Sequence, residues 1–317
     1  MEKVLVLGGS GFVGRHLCEK LARLMCQVTV PTRRINNSSH LQVLPQVTVI
    51  QADAHSEAAL TRLLKGHGAV VNLVAILHGS AAAFNRAHVD LPQTLARACL
   101  AAGVKRVIHV SALGAASDAP SMYQRSKAHG EQILISAGLD LTVLRPSVIF
   151  GAEDKFLNLF AKLQRIFPVM PLAGAGMRFQ PVWVEDVASA IVRCLQDAAT
   201  AGQTFELCGP DVMTLKQLVQ LAAGASGVNH GRGRPVLNLP MALGRAQAAL
   251  MALLPGEPLM SRDNLDSMKV DNISDGRMPG LQALGIKAAS VAAIAPTYLS
   301  PIRQHSDYQG LRAVSRL

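Results

Sequence analysis

Three side chains in the middle of the sequence have the types and spacing that acid–base chemistry on an oxygen requires. Ser111 follows the apolar run 104–110, and Tyr123 and Lys127 lie four residues apart. With Ser121 as the N-cap of a helix, Tyr123 and Lys127 share one helical face. We expect the lysine charge to lower the phenol pKa from about 10. Tyr123 could then exchange a proton with a carbonyl or alcohol oxygen that Ser111 orients, so these three residues are the predicted catalytic set.

The N-terminal residues predict a binding site for a dinucleotide cofactor. The apolar run Val4 to Leu7 is typical of a buried parallel strand, and four glycines and an amphipathic run, 15–24, follow it. Strand, glycine turn and helix in this order form a dinucleotide-binding unit, because the backbone can approach a pyrophosphate at the free N–H groups of the helix. The residues predicted to bind the cofactor here are Gly8, Gly9, Ser10, Gly11, Phe12, Val13 and Gly14.

The loop after the second predicted strand, 28–31, favours one cofactor over the other. It contains Arg33 and Arg34, and no acidic residue occurs between Val28 and His40. NAD sites usually have a carboxylate here for the ribose 2′-hydroxyl, whereas arginine suits a 2′-phosphate. We therefore predict NADP(H) rather than NAD(H), with a solvated basic loop as the alternative interpretation.

Further cofactor contacts are predicted at the carboxyl ends of the next strands, where ligands of such sheets bind. Asp53 follows the predicted strand 47–51 and could contact the adenine or cap the helix 56–64. Ala75 and Pro146 follow later strands in the same way. Lys127 is expected to hold the nicotinamide ribose as well as act on Tyr123.

Strands and helices alternate through most of the chain, which predicts an α/β fold with a doubly wound parallel (Rossmann) sheet and a smaller, mostly helical C-terminal lobe. Residues 1–208 are assigned to the dinucleotide-binding domain, with its core at 1–150. Residues 209–317 are assigned to a substrate or partner lobe to which 152–180 contribute. The predicted strands are 4–7, 28–31, 47–51, 69–76, 104–110, 140–145 and 180–184, and the predicted helices are 15–24, 56–64, 82–102, 154–167, 185–195, 214–225 and 241–254.

Two polar residues on these helices are interpreted as structural. His88, on the helix 82–102, is expected to be a packing or surface histidine rather than a catalyst. Asp186 is expected to cap the N-terminus of its helix, where a carboxylate suits the helix dipole.

Composition excludes several classes of protein. Half of the 317 residues are apolar, and the net charge is +10, but the basic residues are scattered and lack interleaved aromatic residues, so we predict no nucleic-acid partner. The five cysteines form no CxxC motif, which predicts a reducing compartment and no metal site. With no secretory signal or membrane-spanning run in view, a cytoplasmic location is predicted. The apolar helix 241–254 is interpreted as core, with an exposed apolar patch that docks on a membrane or a partner as the alternative. The corresponding alternative location is peripheral to the inner membrane.

Four features stand in order along the chain: the turn from Gly8 to Gly14, Ser111, the pair Tyr123 and Lys127, and the segment 144–151. In this order they resemble the short-chain dehydrogenase/reductase superfamily, in its extended or atypical branch. Three further segments, 123–131, 149–158 and 180–187, are similar to the NAD(P)H-binding accessory subunit of respiratory complex I and its bacterial relatives.

Three functions are compatible with these patterns. The leading prediction is an NADP(H)-dependent oxidoreductase that acts on a carbonyl or alcohol of an unknown small molecule. The resemblance to the accessory subunit implies a second: a tightly held, structural NADPH in an accessory or sensor protein with a respiratory or quinone-linked partner. The third, a nucleotide-sugar epimerase or dehydratase, needs a basic diphosphate pocket in the C-terminal lobe, for which Arg232 and Arg234 are the obvious residues.

Overall fold

The computed structural model describes residues 3–251 and 261–300. In chain order its strands are β1 (Val4–Leu7), β2 (Val28–Thr32), β3 (Val47–Gln51), β4 (Ala69–Asn72), β5 (Arg106–Val110), β6 (Asp140–Pro146), β7 (Ile149–Phe150), β8 (Met170–Ala173), β9 (Arg178–Phe179), β10 (Val182–Trp183), β11 (Thr204–Leu207), β12 (Met213–Thr214) and β13 (Val236–Leu239). Seven of them form a central parallel sheet in the order β11-β6-β5-β4-β1-β2-β3. Because the chain winds outward to β3 and then returns to β4, a topological switch point lies between β1 and β4.

Helices cover both faces of this sheet, which confirms the predicted doubly wound α/β fold. The helices are α1 (Phe12–Arg23), α2 (Ser39–Gln42), α3 (Glu57–Leu64), α4 (Ala81–Asn85), α5 (Leu91–Ala102), α6 (Met122–Ser136), α7 (Leu157–Ile166), α8 (Val184–Gln196), α9 (Leu215–Ala225), α10 (Met241–Met251), α11 (Arg262–Ser267) and α12 (Val291–Leu299). Alternate residues of β1 point to opposite faces. Val4 and Val6 pack with α1 and α8, whereas Leu5 and Leu7 pack with α3 and α5.

A carboxylate ties α1 to α8 on one of these faces. The oxygens of Glu185 lie 2.5 Å from His16 Nδ1 and 2.7 Å from Lys20 Nζ, both on α1. The hydrogen bond from His16, followed by the contact with Lys20, lowers the pKa of Glu185 to about 2. The two helices are therefore joined by charge as well as by apolar packing.

A second apolar cluster lies outside the sheet and joins α7, α9 and α12. Its buried side chains include Leu157, Phe160, Leu218 and Val291. Residues from the segment 152–180 thus pack with residues beyond 209. The division of the chain at residue 208 stays a prediction.

Several predicted strands are shorter in the structure because side chains or helix ends use their amides. β4 ends at Asn72 rather than at 76, since the Asn72 side chain accepts a hydrogen bond from Val74 N at 3.2 Å and turns the chain. β5 begins at Arg106 rather than at 104, because Val104 N still bonds to the end of α5. The strand predicted over 180–184 is reduced to β10, because α8 already begins at Val184.

The long helix predicted over 82–102 is present but contains one wide turn. A π-helical turn, Arg86–Asp90, separates α4 from α5. Helix α6 packs closely on this turn: a Cβ added to Gly130 would lie 2.1 Å from the carbonyl oxygen of His88. The turn therefore sets how the loop after β4, the helix α5 and the helix α6 meet.

The helix predicted over 154–167 begins only at Leu157. Asp154 instead accepts hydrogen bonds from the amides of Gly151, Phe156 and Asn158, which closes a tight turn before the helix. Tyr298 of α12 donates its hydroxyl to the same carboxylate at 2.9 Å. Asp154 thus connects α12 to the loop that precedes α7.

The apolar helix predicted over 241–254 is present as α10 up to Met251, and residues 252–254 lie outside the described residues. Leu243, which the sequence placed in the core, is 56% exposed. Within 3–251 and 261–300, no helix combines the length and apolar character needed to cross a membrane.

Candidate functional site

The glycine turn after β1 has the shape of a phosphate cradle. Gly8 has a φ of +78°, a conformation that favours glycine. A Cβ on Gly9 would lie 2.8 Å from the methyl groups of Val30, and one on Gly14 would lie 2.4 Å from the carbonyl oxygen of Gly8. The turn can therefore pack this closely only without side chains, as the motif predicted.

The N-terminus of α1 is open toward this turn. Its N-cap is Gly11, whose backbone is extended and which supplies no side-chain cap, and the first turn of α1 contains no acidic residue. Ser10, Phe12 and Val13 around it are partly exposed. The first N–H groups of a helix have no partner within it and favour an anion, so this cradle fits the pyrophosphate of a dinucleotide.

The structure brings Lys127 and Ser111 to one place. Lys127 is buried on α6, and its Nζ donates a hydrogen bond to the carbonyl oxygen of Val110 at 2.8 Å. Ser111 is the next residue and lies at the carboxyl end of β5. Its hydroxyl is buried and has no hydrogen-bond partner in the structure. A buried, unpaired hydroxyl that follows the residue bound by this lysine fits an oxygen atom of a bound molecule.

Tyr123 lies on the same face of α6 and packs against two aromatic rings. Its ring centroid is 6.3 Å from that of Phe84 and 5.5 Å from that of His88. Burial raises the pKa of Tyr123 to about 12. The prediction that Lys127 lowers this pKa is wrong in direction, because desolvation by burial disfavours the charged phenolate.

The basicity of Lys127 also responds to burial. Desolvation lowers its pKa to about 8, although the nearby carboxylate of Glu131 acts in the opposite direction. Glu131 is itself buried and forms two hydrogen bonds with Arg145 of β6, at 3.0 and 2.5 Å. This carboxylate, one helical turn beyond Lys127, is a site residue that the sequence analysis missed, although its i+4 spacing could have revealed it.

His88 is a packing histidine, as predicted. Its Nδ1 lies 2.8 Å from Ser126 Oγ, and its Nε2 accepts a hydrogen bond from Ile76 N at 3.1 Å. Burial, together with the charge of Lys127, lowers the pKa of His88 to about 3. The neutral ring therefore fixes the loop after β4 against α6.

The two arginines predicted to select NADP(H) follow β2 and are exposed. Hydrogen bonds between Thr32 Oγ1 and the backbone of Arg34 shape this loop. Burial lowers the pKa of His55, and the nearby charge of Asp53 acts in the opposite direction. The charges of Arg86 and Arg33 lower this pKa further, so both guanidinium groups lie near His55. Arg86, on the π-helical turn, was not found from sequence because the pattern there predicts a continuous α-helix.

The two acidic residues that the sequence offered as caps have other partners. Asp53 accepts a hydrogen bond from His55 N at 3.0 Å, and α3 is capped instead by Ser56. Its predicted contact with adenine stays a prediction. Asp186 accepts a hydrogen bond from Ala289 N at 2.8 Å and so anchors the C-terminal segment rather than capping α8.

The remaining predicted positions lie at the carboxyl edge of the sheet or in the lobe. Ala75 is exposed beyond β4, and Pro146 is the last residue of β6. Of the two arginines considered for a diphosphate pocket, Arg234 donates its Nε to the carbonyl of Gln164 and its amide to the Gln164 side chain. Arg234 therefore serves to hold its own loop. Among the described residues, no group of three histidine, cysteine or acidic side chains is arranged to hold a metal ion.

A carboxylate from far along the chain completes the surroundings of α6. Asp263 of α11 accepts hydrogen bonds from the amides of Met122 and Tyr123. The sequence offers no signal for this contact, because 140 residues separate Asp263 from Tyr123.

Comparison with known proteins agrees with this architecture. Residues 4–208 match the model of the "NAD dependent epimerase/dehydratase family". The chain is 32% identical over 313 residues to the mouse mitochondrial NADH dehydrogenase [ubiquinone] 1 alpha subcomplex subunit 9. The matched region covers 96% of this chain and 81% of the mouse protein. These matches confirm the resemblance to the short-chain dehydrogenase/reductase superfamily and to the complex I subunit.

Two further proteins extend the comparison toward enzymes. A ceramide reductase of Caulobacter vibrioides is 33% identical over 191 residues, 60% of this chain and 59% of that protein. The crystal structure of an NADPH-dependent quinone oxidoreductase from Escherichia coli, complexed with NADPH, superposes with a TM-score of 0.75 at 24% identity, covering 92% of this chain and 98% of that one. The superposition shows that the two chains have the same fold.

Proposed function

Since the chain belongs to the NAD dependent epimerase/dehydratase family, we propose that it is an NADP(H)-dependent oxidoreductase that acts on a carbonyl or alcohol group. The observation that carries this proposal is the buried, unpaired hydroxyl of Ser111 beside the bond between Lys127 and Val110. A buried hydroxyl without a partner costs about 1–3 kcal/mol. A substrate oxygen at this point would recover that cost and would lie next to the candidate acid.

In the proposed mechanism, the bound nicotinamide supplies or accepts the hydride. Ser111 donates a hydrogen bond to the substrate oxygen and orients it. Tyr123, neutral at pH 7 because its pKa is about 12, donates its hydroxyl proton to that oxygen when a carbonyl is reduced. Lys127, held by Val110, places a positive charge beside the oxygen that gains electron density. These protonation states favour reduction over oxidation near neutral pH.

Cofactor selection is assigned to the basic surface after β2. Arg33 and Arg34 are exposed there, and both Arg33 and Arg86 act on His55. Guanidinium groups bind phosphate through paired hydrogen bonds. We infer from this charge that the protein prefers NADPH to NADH, with the 2′-phosphate bound between the loop after β2 and the π-helical turn.

The test of this proposal is NADPH oxidation by the purified protein, followed at 340 nm with menadione and with a panel of apolar aldehydes and ketones. Turnover that is lost in Ser111→Ala supports the proposal. If turnover is equal in the wild type and in Ser111→Ala, the site does not perform the reaction.

A second candidate is a non-catalytic NADPH-binding accessory protein with a respiratory or quinone-linked partner. It is favoured by the 32% identity to the mitochondrial complex I subunit over 96% of the chain. In the part of the chain that the structure describes, no helix has the length and apolar character to cross a membrane. An accessory protein of this kind would act at the membrane surface, where its partner resides.

The release rate of NADPH distinguishes the two candidates. Bound NADPH is chased with excess NADP⁺ while its fluorescence is followed. Release within seconds fits an enzyme that turns over, whereas release over hours fits a cofactor that is part of the structure.

A further inference from the structure

The first turn of the helix that carries Tyr123 is held from outside by a residue of the C-terminal lobe. The two carboxylate oxygens of Asp263 lie 2.6 Å from Met122 N and 3.1 Å from Tyr123 N. The side chain of Asp263 is buried. One carboxylate thus binds the first two amides of α6, and the second of these belongs to Tyr123 itself.

This contact completes the hydrogen bonding of that helix end. The first amides of a helix have no partner within it. Ser121 accepts a hydrogen bond from Gln124 N, and its carbonyl accepts one from Arg125 N. The amides of Met122 and Tyr123 are left for Asp263, whose negative charge suits the positive end of the helix dipole.

The position of Asp263 is itself fixed by its own helix. A reciprocal pair of hydrogen bonds between Ser261 and Asn264 caps α11. Ser267, one turn later, donates its hydroxyl to the carbonyl of Asp263. The carboxylate therefore comes from a held backbone and not from a free loop.

Two anchors consequently fix the orientation of α6, one at each side of the candidate acid. Lys127 bonds to β5 through Val110, and Asp263 holds the amide of Tyr123. If the second anchor is lost, the first turn of α6 has no partner for two amides, and the phenol is free to move away from Phe84 and His88. A displacement of about 1 Å at a reacting group can reduce a rate about 100-fold.

We propose that Asp263 is a positioning residue: its carboxylate holds the first turn of α6 so that the Tyr123 hydroxyl points at the substrate oxygen next to Ser111. This inference rests on the proposed function for its effect on turnover. According to this proposal, the site is active only when α11 is docked on α6. The C-terminal lobe then contributes no acid of its own but determines the position of the proton donor, Tyr123.

The test compares Asp263→Ala with Asp263→Asn, which keeps one acceptor oxygen. The matched control is Asp266→Asn in the same helix, where Asp266 pairs with Lys269 and Arg245 at the surface. With menadione as substrate, Asp263→Ala should lower kcat by tenfold or more while KM and the Kd of NADPH stay within twofold. Asp263→Asn should give an intermediate kcat, and Asp266→Asn should match the wild type.

A second readout needs no turnover. The chain has only three tyrosines, so the absorbance titration of each protein minus that of its own Tyr123→Phe counterpart isolates one phenol. The wild-type midpoint should lie near the raised pKa of about 12. In Asp263→Ala it should fall toward the free value of about 10, because the loosened ring becomes hydrated.

The outcomes separate this inference from the proposed function. If the wild type does not turn over, the proposed function fails and the titration alone decides: a fall in the midpoint supports the role of Asp263, and an unchanged midpoint overturns it. If kcat, KM and NADPH binding worsen together without a change in the titration, Asp263 has only a structural role and the inference is wrong.

Discussion

The Nζ of Lys127 lies 2.8 Å from the carbonyl oxygen of Val110, the residue before Ser111. Helix α6 and strand β5 are therefore joined at the carboxyl end of β5, directly before Ser111. The bond occupies the backbone beside Ser111 but leaves the serine hydroxyl without a partner. This arrangement gives the site a buried lysine that is held in place and, at the next residue after its partner, a buried hydroxyl with no hydrogen bond.

Replacing Ser111 with alanine should therefore stabilise the cofactor-free protein while it impairs turnover. The wild type bears the cost of a buried hydroxyl with no hydrogen bond, about 1–3 kcal/mol, which alanine removes. Thermal unfolding without cofactor should show a higher Tm for Ser111→Ala. The control Ser126→Ala should instead lower the Tm, because Ser126 forms hydrogen bonds with both His88 and the carbonyl of Tyr123. A lower Tm for Ser111→Ala would show that the hydroxyl is satisfied in solution.

Tyr123→Phe should abolish most of the turnover without disturbing the cofactor. A positioned proton donor contributes about 10² to 10⁴ in rate, so kcat should fall by at least 100-fold, with the Kd of NADPH within twofold of the wild type. Tyr298→Phe is the control, since Tyr298 bonds to Asp154 and not to the site. Steady-state kinetics and fluorescence titration of NADPH measure the two effects. Turnover that survives in Tyr123→Phe would remove the phenol from the mechanism.

The double variant Arg33→Ala with Arg34→Ala should weaken NADPH binding by tenfold or more and NADH binding by less than twofold. The reason is that only NADPH has the 2′-phosphate that pairs with these guanidinium groups. Isothermal titration with both cofactors measures the difference. The matched control, Lys162→Ala with Arg165→Ala, removes the same charge from the exposed face of α7. Equal losses for both cofactors would refute the 2′-phosphate assignment.

The contact between α1 and α8 should make stability depend on acid pH. The pKa of Glu185 falls from 4.5 to about 2 on folding, chiefly through the hydrogen bond from His16. A depressed carboxylate pKa contributes stability that is present above the unfolded pKa and is lost as pH falls through the folded pKa. The free energy of unfolding of the wild type should thus exceed that of Glu185→Gln near pH 6, and the difference should vanish between pH 4.5 and 2.

Urea denaturation at a series of pH values measures this difference. Glu57→Gln serves as the control, because Glu57 pairs with Arg97 at an exposed position. A constant gap between the wild type and Glu185→Gln across the acid range would show that the contact acts through packing and not through charge.

The parts of this molecule that could be predicted from sequence are those whose partners are close along the chain. The turn from Gly8 to Gly14 and the spacing of Tyr123 and Lys127 are local, so strand, turn and helix could be inferred from the residue types. The helix caps Ser121 and Thr214 obey the same logic.

The parts that were missed depend on contacts between distant segments. The pKa of Tyr123 is set by burial against Phe84 and His88, which a pair of neighbouring residues does not reveal. Asp186 could have capped its helix, but a backbone amide from residue 289 competes for the carboxylate. Asp263 reaches α6 only through the tertiary fold.

The π-helical turn at Arg86–Asp90 makes this protein sensitive to a change of length by one residue. Such a turn holds one residue more than an α-helical turn, and each residue added or removed rotates the rest of the helix by about 100°. Deletion of one residue would restore a regular helix but would turn His88 away from Ile76 or Arg86 away from His55. The contact that holds the loop after β4 and the basic surface beside β2 therefore both depend on the number of residues in this turn. In an alignment, a gap of one position here would indicate a different site.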